Sequence, residues 1–185
     1  AGASHGGKGG YKASGGAASD AGPTYDDYKD PKYPGAGMGG YVGGGVLRLT
    51  ATGTCTVNSS TYIRADGSYQ AAGGSIYMNC SGFAGTAGNS AISARGGSVN
   101  TNGGGGGGRI ALISTGGSGS WSGNLVFPSG TTNLATFRNA VKANGGSGNA
   151  TYGNGGAGTV YVKHSGLTYG ALIVDNADNA MYATS

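Results

Sequence analysis

The chain has 185 residues, 44 of them glycine, a formal net charge of +4 and only Asp as its acidic residue. Leu, Ile, Val and Phe fill 25 positions, too few for a thick core, yet the small net charge argues against disorder by self-repulsion. Lys and Arg are spaced singly, which speaks against a nucleic-acid partner, and no apolar run approaches the ~18 residues of a membrane helix, so no membrane span is expected.

Residues 1–45 are Gly-rich and lack regular alternation. The opening Ala1-Gly2-Ala3 has no Met, as in a chain matured by cleavage, and a purification cut or a partial chain would look the same. Within this segment, Tyr25-Asp26-Asp27-Tyr28-Lys29-Asp30-Pro31-Lys32-Tyr33-Pro34 carries two prolines that forbid a central strand, so an ordered surface loop pinned by tyrosines is expected. Residues 1–45 as a whole are expected to pack on, or cap, the rest of the chain.

From residue 46 a phrase repeats: a short alternating strand after glycine, then an apolar hook ending in Ala, then a Gly-rich stretch. The strands read Leu47-Arg48-Leu49, Ile76-Tyr77-Met78, Ile110-Ala111-Leu112 and Val160-Tyr161-Val162; the hooks read Ile63-Arg64-Ala65, Ile92-Ser93-Ala94 and Val141-Lys142-Ala143. Period-two alternation between glycines predicts strands near 46–50, 75–79, 109–113 and 159–163. Leu47 to Ile63 and Ile76 to Ile92 both span 16 residues, whereas Ile110 to Val141 spans 31. The difference predicts an insertion around 114–140, containing Trp121 and Leu125-Val126-Phe127-Pro128. No sustained 3.6-residue apolar stripe occurs, so almost no helix is expected.

Strands of three to five residues are unstable singly. The repeat therefore predicts an all-β fold over 46–185, a Gly-rich parallel β-solenoid in which each short strand lies in register on the next. Packed polyglycine-type extended segments within 1–45 and 97–108 are admitted by the same composition. Two ends lack an evident cap: the first strand at Val46 and Leu47, and the apolar stretch Leu172-Ile173-Val174. Uncapped strand edges template association.

Catalytic groupings are missing. His5 and His164 are far apart and carry no triad motif, and no phosphate-loop pattern is present. No catalytic or cofactor-binding residue is assigned, and the chain is read as not an enzyme. Hard oxygen ligands for calcium could come from Asp26, Asp27 and Asp30, or from Asp175 and Asp178, although neither set fits an EF-hand. Cys55 and Cys80 read equally as a disulfide of an oxidising compartment or as two small buried residues. Asn58, Asn79 and Asn149 begin Asn-X-Ser/Thr patterns, meaningful for glycosylation in a suitable secretory host. Twelve tyrosines suit contact surfaces; Tyr25, Tyr28 and Tyr33 are candidates for subunit contact or sugar stacking, beside Val46, Leu47, Leu172, Ile173 and Val174.

Gly73-Gly74-Ser75-Ile76-Tyr77-Met78, Ile92-Ser93-Ala94-Arg95-Gly96-Gly97, Gly106-Gly107-Gly108-Arg109-Ile110-Ala111-Leu112 and the stretches 155–163 and 169–176 resemble the Gly-rich repeats of large secreted and cell-surface proteins. The opening residues 2–10 are similar to the start of such arrays. The resemblance implies a β-helix-like extracellular scaffold or adhesin and transfers no catalytic residue. Residues and resemblance together lead to one expectation: an extracellular or cell-surface structural protein, self-assembling head to tail into a filament, sheath or matrix. The alternative is a cell-surface adhesin or glycan-binding module.

Overall fold

The computed structural model describes residues 1–11 and 21–176. Ten strands and one α-helix follow in order among them, with short 3-10 turns at Ser118–Ser120 and Gly123–Leu125: β1 Val46–Thr50, β2 Thr54–Thr56, β3 Ile63–Arg64, β4 Ser75–Cys80, β5 Gly82–Ala84, β6 Ile92–Ser93, β7 Arg109–Ser114, α1 Gly130–Ala140, β8 Val141–Lys142, β9 Thr159–His164 and β10 Ala171–Ile173. They form three sheets: five strands ordered β1-β4-β7-β9-β10, two strands β2-β5, and three strands β3-β6-β8.

The alternating segments are neighbours in the five-stranded sheet. Leu47, Ile76, Ile110 and Val160 lie in one parallel row, and Leu49, Met78, Leu112 and Val162 in the next. Period-two geometry sends these side chains to one face. There Ile76, Met78, Ile110, Leu112, Val160 and Val162 meet Phe83, Ile92, Trp121, Leu125, Phe137 and Val141 from the other sheets and the insertion, forming one core cluster, while Leu47 and Leu49 at the end of the rows stay exposed. Trp121 packs between Phe83 and Phe127, with ring centroids 4.5 and 5.3 Å away.

The expected all-β parallel β-solenoid is overturned. The fold is mixed α/β, its sheets combine parallel and antiparallel strands, and they are not stacked in the solenoid manner. Two departures account for this. First, β10 runs antiparallel to β9, placing Ala171 opposite Val162 and Ile173 opposite Val160; the chain doubles back within the short 165–170 turn, too short for the dozen or more residues of a parallel crossover. Second, the expectation of almost no helix fails at α1, an 11-residue helix. Its buried contacts are few, Phe137 and Ala140, with Leu134 half-buried. Such a narrow stripe, starting at Gly130 amid threonines, gives little periodicity to read. Phe137 supplies the driving force, because its side chain is fully buried.

The glycine run Gly103–Gly108 lies among several other stretches of chain, and its neighbours recur every third residue. A Cβ on Gly103 or Gly106 would collide with the carbonyls of Gly10 and Gly7; on Gly104 or Gly107, with those of Gly146 and Ala143; on Gly105 or Gly108, with those of Ala71 and Gly74. Three residues per turn is the period of extended threefold backbone. The run hydrogen-bonds laterally: Gly105 N–H donates to Gly97, Gly106 to Ala3, Gly107 to Gly156 and Gly108 to Ala94, at 2.7–2.9 Å. Residues 2–10 are thereby threaded among the glycine stretches.

Residues 25–34 form a strap over the outer face of the five-stranded sheet. Arg48 donates to the Pro31 carbonyl and the Asp30 carboxylate. Arg109 donates to the Tyr25 carbonyl at 2.9 Å.

Candidate functional site

Residues 46–64 supply the outermost strand of all three sheets, namely β1, β2 and β3. Each pairs with a strand on one side, at Leu47–Ile76, Cys55–Phe83 and Ile63–Ile92. On the other side, none pairs with a strand among the described residues. The core rows run out to this end uncovered: Leu47 and Leu49 are 38% and 39% exposed, whereas the row partners Ile76 and Met78 are buried; Val46, on the other face of β1, is 42% exposed. Among the described residues, an apolar cross-section rimmed by three unpaired strand edges is therefore left uncovered. Tyr62 beside β3 is exposed, and the Arg64 guanidinium lies 4.1 Å from its ring centroid.

Cys55 on β2 and Cys80 at the end of β4 are joined by a disulfide, with Cα atoms 6.0 Å apart, a normal span for the bond. It fastens the open-ended segment to the strands beneath it.

The opposite end is built differently. β10 covers β9, Trp121 bridges Phe83 of the two-stranded sheet, and α1 leads directly into β8. Leu172 and Val174 are exposed here, and Ile173 is half-buried against β9.

The tyrosine loop separates the residues grouped from sequence. Tyr25 turns inward, donating its hydroxyl to the Pro34 carbonyl at 2.6 Å and placing its ring 4.6 Å from His5. Tyr28 packs edge-on against Tyr161. Tyr33 remains exposed.

Asp26 is the hub of the strap, and sequence reading missed this role. Its Oδ2 accepts from the Lys32 and Tyr33 N–H groups and the Ser75 hydroxyl, and Oδ1 from the Asp27 N–H, at 2.8–3.1 Å. His5 Nε2 lies 3.3 Å from Oδ2, while Nδ1 is 2.7 Å from the Gly73 carbonyl. Both side chains are buried. Burial works to raise the Asp26 carboxyl, but the Tyr33, Asp27 and Lys32 N–H groups and Ser75 outweigh it and hold it below the usual value. Burial pushes the His5 imidazole below its ordinary value, against the opposing pull of the Gly73 carbonyl and Asp26. The backbone of Asp26 sits at φ +76°, a conformation that costs a non-glycine residue about 1–2 kcal/mol. His5, Asp26 and Ser75 do not have triad geometry: the carboxylate lies between the other two, and the Ser75 hydroxyl also lies 2.6 Å from the Tyr33 carbonyl that it donates to.

The carboxylates considered for calcium are turned towards donors. Asp27 accepts from the Lys29 N–H, Asp30 pairs with Arg48 and Lys32, and Asp175 pairs with Arg138 at 2.6 Å. No group of three potential metal ligands occurs among the described residues, and Asp178 lies outside them. Of the Asn-X-Ser/Thr positions, Asn58 is exposed in a turn. Asn79 is within β4 with its Oδ1 buried and unpartnered, and the Asn149 amide donates to the Asn100 carbonyl. No helix among the described residues is long and apolar enough to cross a membrane. Comparison with protein-family models, curated proteins and solved structures finds no match for this chain.

Proposed function

We propose that this chain is a non-catalytic structural protein of the cell exterior, whose copies join head to tail into a filament, sheath or matrix. The observation that carries the reading is the open end at 46–64, where the outer strands of three sheets and the exposed Leu47 and Leu49 coincide. Strand edges of this kind pair with further chain. A second copy is the occupant, offering its own β10, whose outer edge pairs with no strand among the described residues, with Leu172 on it and Val174 next to it exposed. A contact between two different surfaces extends as a fibre where its rotation does not close into a ring. The Cys55–Cys80 bond supports an oxidising location.

Analytical ultracentrifugation and negative-stain microscopy test it. The native chain is expected to associate with rising concentration into elongated particles. The L47K/L49K variant, which places two ammonium groups on the exposed apolar rows, is expected to stay monomeric with little change in thermal midpoint. A native chain that remains monomeric at millimolar concentration overturns the reading.

A further inference from the structure

On the outer face of the five-stranded sheet, the strap and the 165–170 turn leave a groove between them. Its cavity volume is about 350 Å³, and Tyr28, Lys29, Tyr161, Lys163 and Tyr169 line it. That volume lies within the range of small-ligand clefts, roughly 300–1,000 Å³.

The groove is built from sequence-distant parts. Tyr161 and Lys163 stand two apart on β9 and so share a face. Tyr161 is nearly buried and forms the floor, with Tyr28 edge-on to it at 5.7 Å between centroids. The Gly170 N–H donates to the Tyr161 hydroxyl at 3.2 Å, and a Cβ at Gly170 would collide with the Tyr161 ring, so the turn is held close. The neighbouring Tyr169 is thereby lifted out and is 81% exposed.

The charged side chains that line it, Lys29 and Lys163, are both cations. Lys29 Nζ stands 5.5 Å from the Tyr28 ring centroid. Neither Lys29 nor Lys163 forms an ion pair with a carboxylate among the described residues; Asp30, Asp66 and Asp175 are paired with other cations, and the nearby Asp27 carboxylate accepts from the Lys29 backbone N–H, not from its ammonium group. Two unneutralised ammonium groups thus flank aromatic surface that bears phenol hydroxyls. Aromatic faces suit the C–H faces of a sugar ring, the hydroxyls suit its hydroxyls, and the ammonium groups suit an anionic substituent.

We infer that this groove binds an acidic polysaccharide, gripping its carboxylate or sulfate groups through Lys29 and Lys163 and stacking a sugar ring on Tyr169. Leu172 of β10, the strand offered to a neighbouring copy, also lines the groove, so assembly would border the site; the site does not require assembly, and a protein that stays monomeric can still carry it.

Isothermal titration with polygalacturonate, heparin and dextran tests it. Binding to polygalacturonate or heparin is expected, the two distinguishing carboxylate from sulfate, with dextran inert. K29Q/K163Q is expected to weaken binding about tenfold, and Y169A to weaken it at unchanged net charge. K8Q/K142Q removes the same charge outside the groove and is expected to leave affinity within about twofold. Thermal midpoints check that all variants are folded. The inference is overturned if neither polyanion binds, if dextran binds as well as they do, or if K8Q/K142Q weakens binding as much as K29Q/K163Q.

Discussion

Asp26 and His5 make the strap sensitive to acid. The folded state holds the His5 imidazole below its ordinary value, so the unfolded chain takes up that proton first, and stability falls as pH drops below about 6.5. Asp26 is held below the usual carboxyl value; its contribution is fully present above about pH 4 and is lost as pH falls through its folded value. The two act in the same direction in separate windows. The urea midpoint is therefore expected to decrease between pH 7.5 and 5.5, and His5→Asn to flatten that part of the profile. A native midpoint that holds steady or rises over this range would show that His5 does not titrate as described. None of this was legible beforehand. The sequence presents Asp26, Asp27 and Asp30 as equivalent acids in a polar loop, and only folding gathers donors around one of them, 21 positions from His5 and 49 from Ser75.

At the scale of elements, legibility followed side-chain pattern. Leu47-Arg48-Leu49 and its counterparts alternate between glycines, and those segments are strands of one sheet. α1 escaped notice because only Phe137 and Ala140 are buried in it, and β10 gave no sign of direction, since three apolar residues alternate equally well either way. The glycine run was ambiguous for the opposite reason: a residue without a side chain carries no pattern, and its neighbours come from all along the chain. What the run requires is space. Gly106 abuts the Gly7 carbonyl, a backbone group that cannot swing aside, so Gly106→Ala is expected to destabilise by about 1–3 kcal/mol or more. Gly119 has nothing within 4 Å of the same added atom, and Gly119→Ala is expected to change stability by less than about 0.5 kcal/mol. Equal thermal shifts in the two variants would refute the close-contact account.

For the whole molecule, the decisive property is the difference between its ends. Among the described residues, one presents β1, β2 and β3 as edges without a strand partner; the other carries β10, Trp121 and α1. The candidate surface was partly legible, because the sequence identifies both apolar ends, but the convergence of three sheet edges on residues 46–64 follows only from the topology. An assembly joining unlike ends has polarity. Mixing L49C and L172C chains is therefore expected to give a disulfide-linked pair containing one copy of each under oxidation. L49C alone forming the dominant dimer would indicate like-to-like contact and a closed pair.

The lateral bonds of the glycine run bear on how the molecule opens. The Gly104 to Gly108 amides are each committed to a carbonyl elsewhere in the chain, between Ala3 and Gly156, although no helix or strand includes Gly104–Gly108. Membership of a helix or strand and the tethering of a backbone are here separate matters. Solvent deuterium reaches those amides only when several distant segments part together, so their exchange reports the opening of the whole domain, while far-UV dichroism counts the same residues as coil.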